Sequence, residues 1–235
     1  VVDESRVQSK NGLQYKNSNN AILTIAIKND GQKFKDSAPL IKLDESSQNL
    51  ELEFSSLQSL QEWESYLNGD RWLPHSINVE IFCVQSKKKV LLSTPAPHLF
   101  SGTLMQNIII GNNSPDSRAY QLELDLFHDF GFNDFTLSQS IGIISNIENG
   151  LLALSIARAL HQQPRALLVS ITNTSEAKLI PILAESALVR ERKIKIVVLK
   201  SNSVGTKLFA NSLSMKNFEI SAEGSKNLIS INSGN

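Results

Sequence analysis

Glu148-Asn149-Gly150-Leu151-Leu152-Ala153-Leu154-Ser155-Ile156-Ala157-Arg158-Ala159-Leu160-His161-Gln162-Gln163-Pro164-Arg165-Ala166-Leu167-Leu168-Val169 is the stretch whose reading decides the fold. Leu151 to His161 is rich in strong helix formers. Its apolar positions, Leu151, Leu154, Ala157 and Leu160 plus Leu152 and Ile156, spread too widely for a solvent-facing helix, so the pattern predicts a buried one. Pro164 lacks the backbone donor a continuing helix needs and stops it. Ala166 to Val169 then reads as the short, wholly apolar strand of a buried parallel sheet.

The 235 residues are 41% hydrophobic and 20% charged, enough for a sizeable core in one α/β domain with a small appended lobe. Basic and acidic residues balance at 23 each, so the overall field points neither to nucleic acid nor to an anionic membrane surface. The single cysteine, Cys83, excludes an intrachain disulfide and suggests a reducing compartment. No run approaches the ~20 apolar residues of a membrane span. Val1-Val2-Asp3-Glu4-Ser5-Arg6 has no initiator Met and resembles neither a signal peptide nor a tag, so it reads as the interior of a longer protein.

The opening stretch resembles the ATPase domains of ATP-binding cassette (ABC) transporters, in which a signature helix carrying Ala-Arg-Ala-Leu runs through Pro-Arg into the Walker B strand. Here those residues are Ala157-Arg158-Ala159-Leu160 and Pro164-Arg165. About fifty residues upstream, Pro97-His98-Leu99-Phe100-Ser101-Gly102-Thr103-Leu104-Met105-Gln106-Asn107-Ile108 resembles the segment after the Q-loop of exporter-type cassettes. The resemblance implies an α/β fold of the P-loop NTPase type: an antiparallel β lobe, a mainly parallel sheet core and a helical subdomain at about 112–150. Residues 1–20 would be the linker from a membrane domain and 21–235 the cassette.

In chain order, Ala21 to Lys28, Leu40 to Leu43 and Leu50 to Phe54 read as strands, the last with period-two alternation. All three are expected in the antiparallel lobe. An intact phosphate loop, GxxxxGK[ST], should follow, because glycines let backbone N–H groups surround phosphates that the lysine neutralises. Instead Ser55 to Gly69 holds no lysine and no glycine before Gly69. A helix pattern remains, with Leu57, Leu60, Trp63 and Leu67 on one face, and Glu62 and Glu64 stand where a cation and hydroxyl are expected. They would repel a triphosphate. Ile77 to Val84 and Val90 to Ser93 are further strands, and Lys87 to Lys89 reads as a solvated turn.

By this alignment the Q-loop glutamine is Pro95, and the five signature positions fall on Asn146, Ile147, Glu148, Asn149 and Gly150. The phosphate-donating serine has become Ile147. Glu148 either faces the phosphate position or, the weightier reading, caps its own helix. The Walker B Asp-Glu pair falls on Ser170 and Ile171, which leaves no carboxylate there for metal or general base. The switch histidine falls on Ser201, within Lys200-Ser201-Asn202. Arg118 to Phe135 and Leu179 to Glu191 read as helices, Ile194 to Leu199 as a strand, and Phe209 to Glu223 as a closing hairpin. His128 and Asp129 adjoin on a helix, where neighbours do not face one another, so they are not a catalytic pair.

Five chemical positions are thus replaced while the flanking apolar pattern persists. The expectation is a degenerate cassette of a secretion-type exporter that hydrolyses nothing, on the cytoplasmic face of the inner membrane. It would pair with a second cassette, in a homo- or heterodimer, and receive the coupling helices of a membrane domain at Pro97, His98, Leu99, Phe100, Ser101, Gly102 and Thr103, although a simply packed turn reads equally well there. No metal, cofactor or nucleic acid is expected; ATP with Mg²⁺ enters only through contacts outside these motifs. Tyr15 and Phe34 are weak candidates for an adenine platform. The alternative is an interaction or ligand-binding module unconnected to transport, using Trp63, Trp72, Phe100 and Lys87 to Lys89.

Overall fold

The computed structural model describes residues 21–29, 39–67, 79–85, 90–110, 117–134 and 136–215. The predicted linker, Tyr15, Phe34, Trp72, Lys87 to Lys89, the Asn68-Gly69 helix stop, most of the closing hairpin and the polar tail lie outside them.

The apolar runs form two sheets. Strands β3 (Leu50–Phe54), β5 (Val90–Ser93), β6 (Ala166–Ile171), β7 (Lys195–Ser201) and β8 (Asn211–Ser214) make a five-stranded sheet in the order β5-β6-β7-β3-β8, every pair parallel. All six residues of β6 are buried, as a strand covered on both faces must be. The second sheet is antiparallel, in the order β2-β1-β4, from β1 (Ala21–Asn29), β2 (Pro39–Asp44) and β4 (Val79–Gln85).

Placing β3 in the antiparallel lobe is therefore corrected: it lies in the parallel sheet between β7 and β8. Its Leu/Glu alternation imitates a half-exposed strand, yet Glu51 is 1% exposed because the Lys200 ammonium, 3.0 Å away, accompanies it into the interior.

Helix α1 (Leu57–Leu67) follows β3 after only Ser55 and Ser56. Its Leu60, Trp63 and Leu67 pack with Leu52, Phe54, Leu168, Val197 and Leu199 of one sheet face and with Ile22, Leu23, Ile41 and Leu43 of the antiparallel sheet. Leu57, expected on that face, is instead exposed at the helix start. The opposite sheet face packs against α2 (Leu104–Ile108), α3 (Ser117–Asp129) and the central helix α4 (Gly150–His161). Ten of the twelve α4 residues are buried, as the broad apolar stripe predicts. The helix foreseen from Arg118 to Phe135 stops at Asp129.

The single helix expected over Leu179 to Glu191 is two, α6 (Leu179–Glu185) and α7 (Ala187–Glu191), after a short α5 (Thr174–Ala177). Ser186 breaks it at φ −59°, ψ 144°: its Oγ donates to Leu183 O at 2.8 Å and accepts from Val189 N. A side chain that caps locally competes with the helix ladder. Among the described residues no helix is long and apolar enough to cross a membrane.

Candidate functional site

Parallel sheets present ligands at the carboxyl ends of their strands, and the register gathers four predicted positions there. Phe54 pairs with Ser201, Ile171 with Lys200, and Ser93 with Val169. The ends of β3, β6 and β7 and the Ser93 to Pro95 exit of β5 thus share one edge.

At that edge Ser170 and Ile171 are both fully buried, and Ile171 packs into the core under α4. Ser201 is buried as well, its hydroxyl paired with that of Ser203. Pro95 stands in a bend whose approach is tied to α4: Ser93 Oγ donates to Ser155 O at 3.2 Å, and Ser155 Oγ accepts from Thr94 N at 3.1 Å. Between β3 and α1, Ser56 Oγ accepts from Ser59 N at 3.1 Å, an N-cap that closes the strand–helix joint on itself. That two-residue joint has no room for a phosphate-encircling loop.

Glu64, which the sequence places on α1 as a group that would repel a triphosphate, approaches Ser170, and the carboxylate of Glu176, not singled out in the sequence, lies near enough to act on the Glu64 charge. Glu64 of α1 lies beside the Ser170 hydroxyl, which as a donor stabilises the charged carboxylate, and Glu64 Oε1 and Ser170 Oγ are both buried. Burial pushes the Glu64 carboxyl above its ordinary range; the Ser170 hydroxyl opposes that shift and the charge of Glu176 adds to it. Glu176 is itself satisfied, accepting from Thr172 N at 2.6 Å and from Thr172 Oγ1 at 3.0 Å. A helical wheel carries the missing signal: Glu64 follows Leu60 by four residues and precedes Leu67 by three, inside the apolar stripe. An open cleft of about 420 Å³ runs along α1, lined by Gln58, Gln61, Glu62, Glu64 and Ser65. Among the described residues no group of three or more His, Cys, Asp or Glu side chains could hold a metal ion.

The signature positions lie elsewhere, at the start of α4. A 3₁₀ turn, Ile141–Asn146, leads to Ile147, which packs against the core, and to an exposed Glu148. The expected Glu148 cap is corrected: the N-cap is Asn149, held left-handed at φ 63°, and no carboxylate stands in the first turn. Asn149 Nδ2 instead reaches Ser175, donating to its Oγ at 3.1 Å and its O at 3.3 Å. Gly150 has no alternative, since a Cβ there would lie 2.4 Å from Ile144 O.

The Pro97 to Thr103 segment is presented outward and anchored from behind. His98, Phe100, Ser101 and Gly102 are exposed, Pro97, Leu99 and Thr103 partly so. The fully buried Asn107 accepts from Phe100 N (3.0 Å) and donates to Phe100 O (2.8 Å) and Thr103 O (3.0 Å). Arg158 donates to Asn107 O and His98 O, each at 2.8 Å, and to Asn107 Oδ1 at 3.2 Å, with its guanidinium carbon 5.7 Å from the Phe100 ring centre. Burial lowers the Arg158 pKa without discharging it. Thr103 and Gln106 form a reciprocal capping box at α2. Thus the Arg of the Ala-Arg-Ala-Leu motif grips the other recognised motif, a pairing that neither stretch reveals alone. Trp63, offered to a partner by the interaction-module reading, is wholly buried and cannot serve.

No family model and no curated protein matches the chain. Among solved structures it is similar to cbiO1 from Clostridium perfringens, described as part of the ABC transporter complex cbiONQ, at 11% identity over 77% of this chain and 79% of that one, with a TM-score of 0.50. It is also similar to a transporter described as of the metal-chelate ABC type in an inward-facing conformation, at 12% identity over 76% and 73%, with a TM-score of 0.48. At such identity the first likeness speaks for the fold alone, and it agrees with the five-stranded parallel sheet, the small antiparallel sheet and the central helix: this chain is folded as an ABC transporter ATPase cassette.

Proposed function

We propose that the chain is the cassette of a secretion-type membrane exporter that hydrolyses no nucleotide and acts as a structural, regulatory or pairing domain on the cytoplasmic face of the inner membrane. The observation that carries this reading is the carboxyl edge of the parallel sheet. Hydroxyl and aliphatic side chains, Ser170 and Ile171, stand where a metal ligand and general base are needed, and the carboxylate of Glu64 occupies the approach from α1. These residues do not fit a magnesium nucleotide. The joint between β3 and α1 has no glycine to shape a cradle of backbone donors, α1 has no lysine and, with Ile147 packed inward, its position offers no signature hydroxyl to a second cassette.

The retained function is docking. Asn107 and Arg158 hold Pro97 to Thr103 rigid while its side chains face solvent, the arrangement a receptor for short coupling helices requires. The membership of cbiO1 in a transporter complex supports a membrane-domain partner of this kind. Balanced charge argues against nucleic acid.

The test is calorimetric titration with Mg-ATP beside thermal melts. No heat and no shift are expected at millimolar nucleotide. A ligand at a hundred times its Kd would stabilise the native state by about 2.7 kcal/mol, a rise of roughly 5–10 °C for a domain this size. A saturable isotherm with such a rise would overturn the proposal.

A further inference from the structure

Among the described residues three large hydrophobic side chains are exposed, and two of them, Phe100 and Ile143, belong to segments that the backbone joins. Ile141 N donates to Gly102 O at 3.0 Å, and Thr103 pairs with Ser140 beside it. The Phe100 ring is held in place although solvent reaches it. The His98 ring meets it edge-on at 4.8 Å and 75°, and the Arg158 guanidinium carbon lies 5.7 Å from its centre. An exposed ring fixed in this way gives a partner apolar area without first losing rotamer freedom.

The second observation is a charge with no counterpart. The half-buried Arg158 donates to Asn107 O, Asn107 Oδ1 and His98 O, all uncharged, and its fork carries further N–H groups. No carboxylate among the described residues lies within ion-pair distance of it, and burial lowers its pKa with no anion acting against that shift. Pro97 to Ile110 and Leu137 to Ile147 hold no Asp, Glu, Lys or Arg. The surface therefore joins two apolar anchors to one cation and supplies no anion of its own. A helix matches it, because side chains one turn apart set an apolar residue and a carboxylate on the same face.

We propose that the surface around Phe100 and Ile143 receives an amphipathic helix of a partner protein, which packs apolar side chains on those two residues and brings an Asp or Glu carboxylate to Arg158. The inference rests on the reading of Pro97 to Thr103 as a docking segment and names the chemistry of what docks there. Docking takes water from the guanidinium, so a carboxylate gains there what an amide gains less of, and a lysine at that place is repelled.

The test titrates the whole chain with a short blocked alanine-based helix that carries leucines and one glutamate on a single face, and with its Glu→Gln and Glu→Lys forms. Heat gives the affinity, and the Arg158 Nε–H signal gives the place. Saturable binding of the glutamate form is expected, weakened about tenfold or more in the glutamine form and lost in the lysine form. Only the glutamate form should move the Arg158 signal strongly. Phe100→Ala should weaken the glutamate and glutamine forms alike, and Arg158→Gln should bind those two equally. Should Arg158→Gln fail to fold, the three peptides on the parent decide the matter, since that comparison changes nothing in the protein. Equal binding of the glutamate and glutamine forms, still weakened by Phe100→Ala, overturns the carboxylate and leaves the docking reading intact. Binding of no form overturns that reading and this inference with it. A dimer in solution that Phe100→Ala dissociates would seat a second copy on this surface and overturn the proposal. A Mg-ATP isotherm bears only on the loss of nucleotide chemistry.

Discussion

Replacing Asn107 by Ala should loosen the outward segment without touching any residue that segment exposes. The side chain is 0% exposed and makes four hydrogen bonds: to Phe100 N, Phe100 O, Thr103 O and Arg158 Nη2, at 2.8 to 3.2 Å. At roughly 1 kcal/mol net per bond the gross loss is about 4 kcal/mol. Phe100 is exposed, so water can replace part of its two lost bonds, which brings the expectation to about 2–3 kcal/mol. For a domain of this size that lowers the Tm by roughly 4–12 °C. Urea unfolding measures the stability, and native-state hydrogen exchange at the Phe100 amide localises it. Asn107→Asp keeps both acceptor roles and loses both donor roles, so it should fall between parent and Ala. A loss under about 0.5 kcal/mol with unchanged Phe100 protection would refute the argument, since four bonds from a buried side chain cannot vanish so cheaply.

Lys200 is the cation for Glu51 (3.0 Å) and Glu53 (3.3 Å), and Glu51 also accepts from Leu208 N at 2.7 Å. Burial alone would raise the Glu51 pKa, but the Leu208 donor and Lys200 outweigh it and hold it low. Lys200→Met should therefore cost about 3–5 kcal/mol in urea unfolding, and adding Glu51→Gln should recover part of that; strictly additive losses would count against the pair. Glu64 has the opposite sign. Its raised pKa means that the folded state holds the proton more tightly, so its contribution is complete below the unfolded carboxyl value and is lost as pH rises through the folded one. Glu64→Gln should consequently gain in relative Tm from about pH 4 toward pH 7, and a difference independent of pH would remove the burial argument. Gly150→Ala should cost about 1–3 kcal/mol or more, because the new methyl meets the Ile144 carbonyl; a neutral result in thermal melts would mean that the turn before α4 yields easily.

Where a signal was contiguous the sequence was readable. Leu151 to Val169 gave helix, stop and strand because each apolar residue is buried by its own element. The misplacement of β3 came from Glu51, whose polarity implied solvent while its cation sits 149 positions away. The break at Ser186 was hidden because neither Gly nor Pro marks it and only the serine's own cap makes it. At the candidate site the replaced motif positions were legible one by one. The meeting of Glu64 with Ser170 and the grip of Arg158 on Asn107 were not, being contacts between segments more than fifty positions apart, whose approach depends on strand order.

Helix α4 is fastened near both ends to parts that its own sequence does not name. Asn149 ties its start to Ser175, just past the exit of β6, and Arg158 ties its far half to the outward segment at His98 and Asn107. The two fastenings are nine residues apart, about 13 Å of helix. Between them runs one unbroken helix, so the place of the outward segment relative to the exit of β6 is set by a single regular element and two side-chain ties, with no loop in the span.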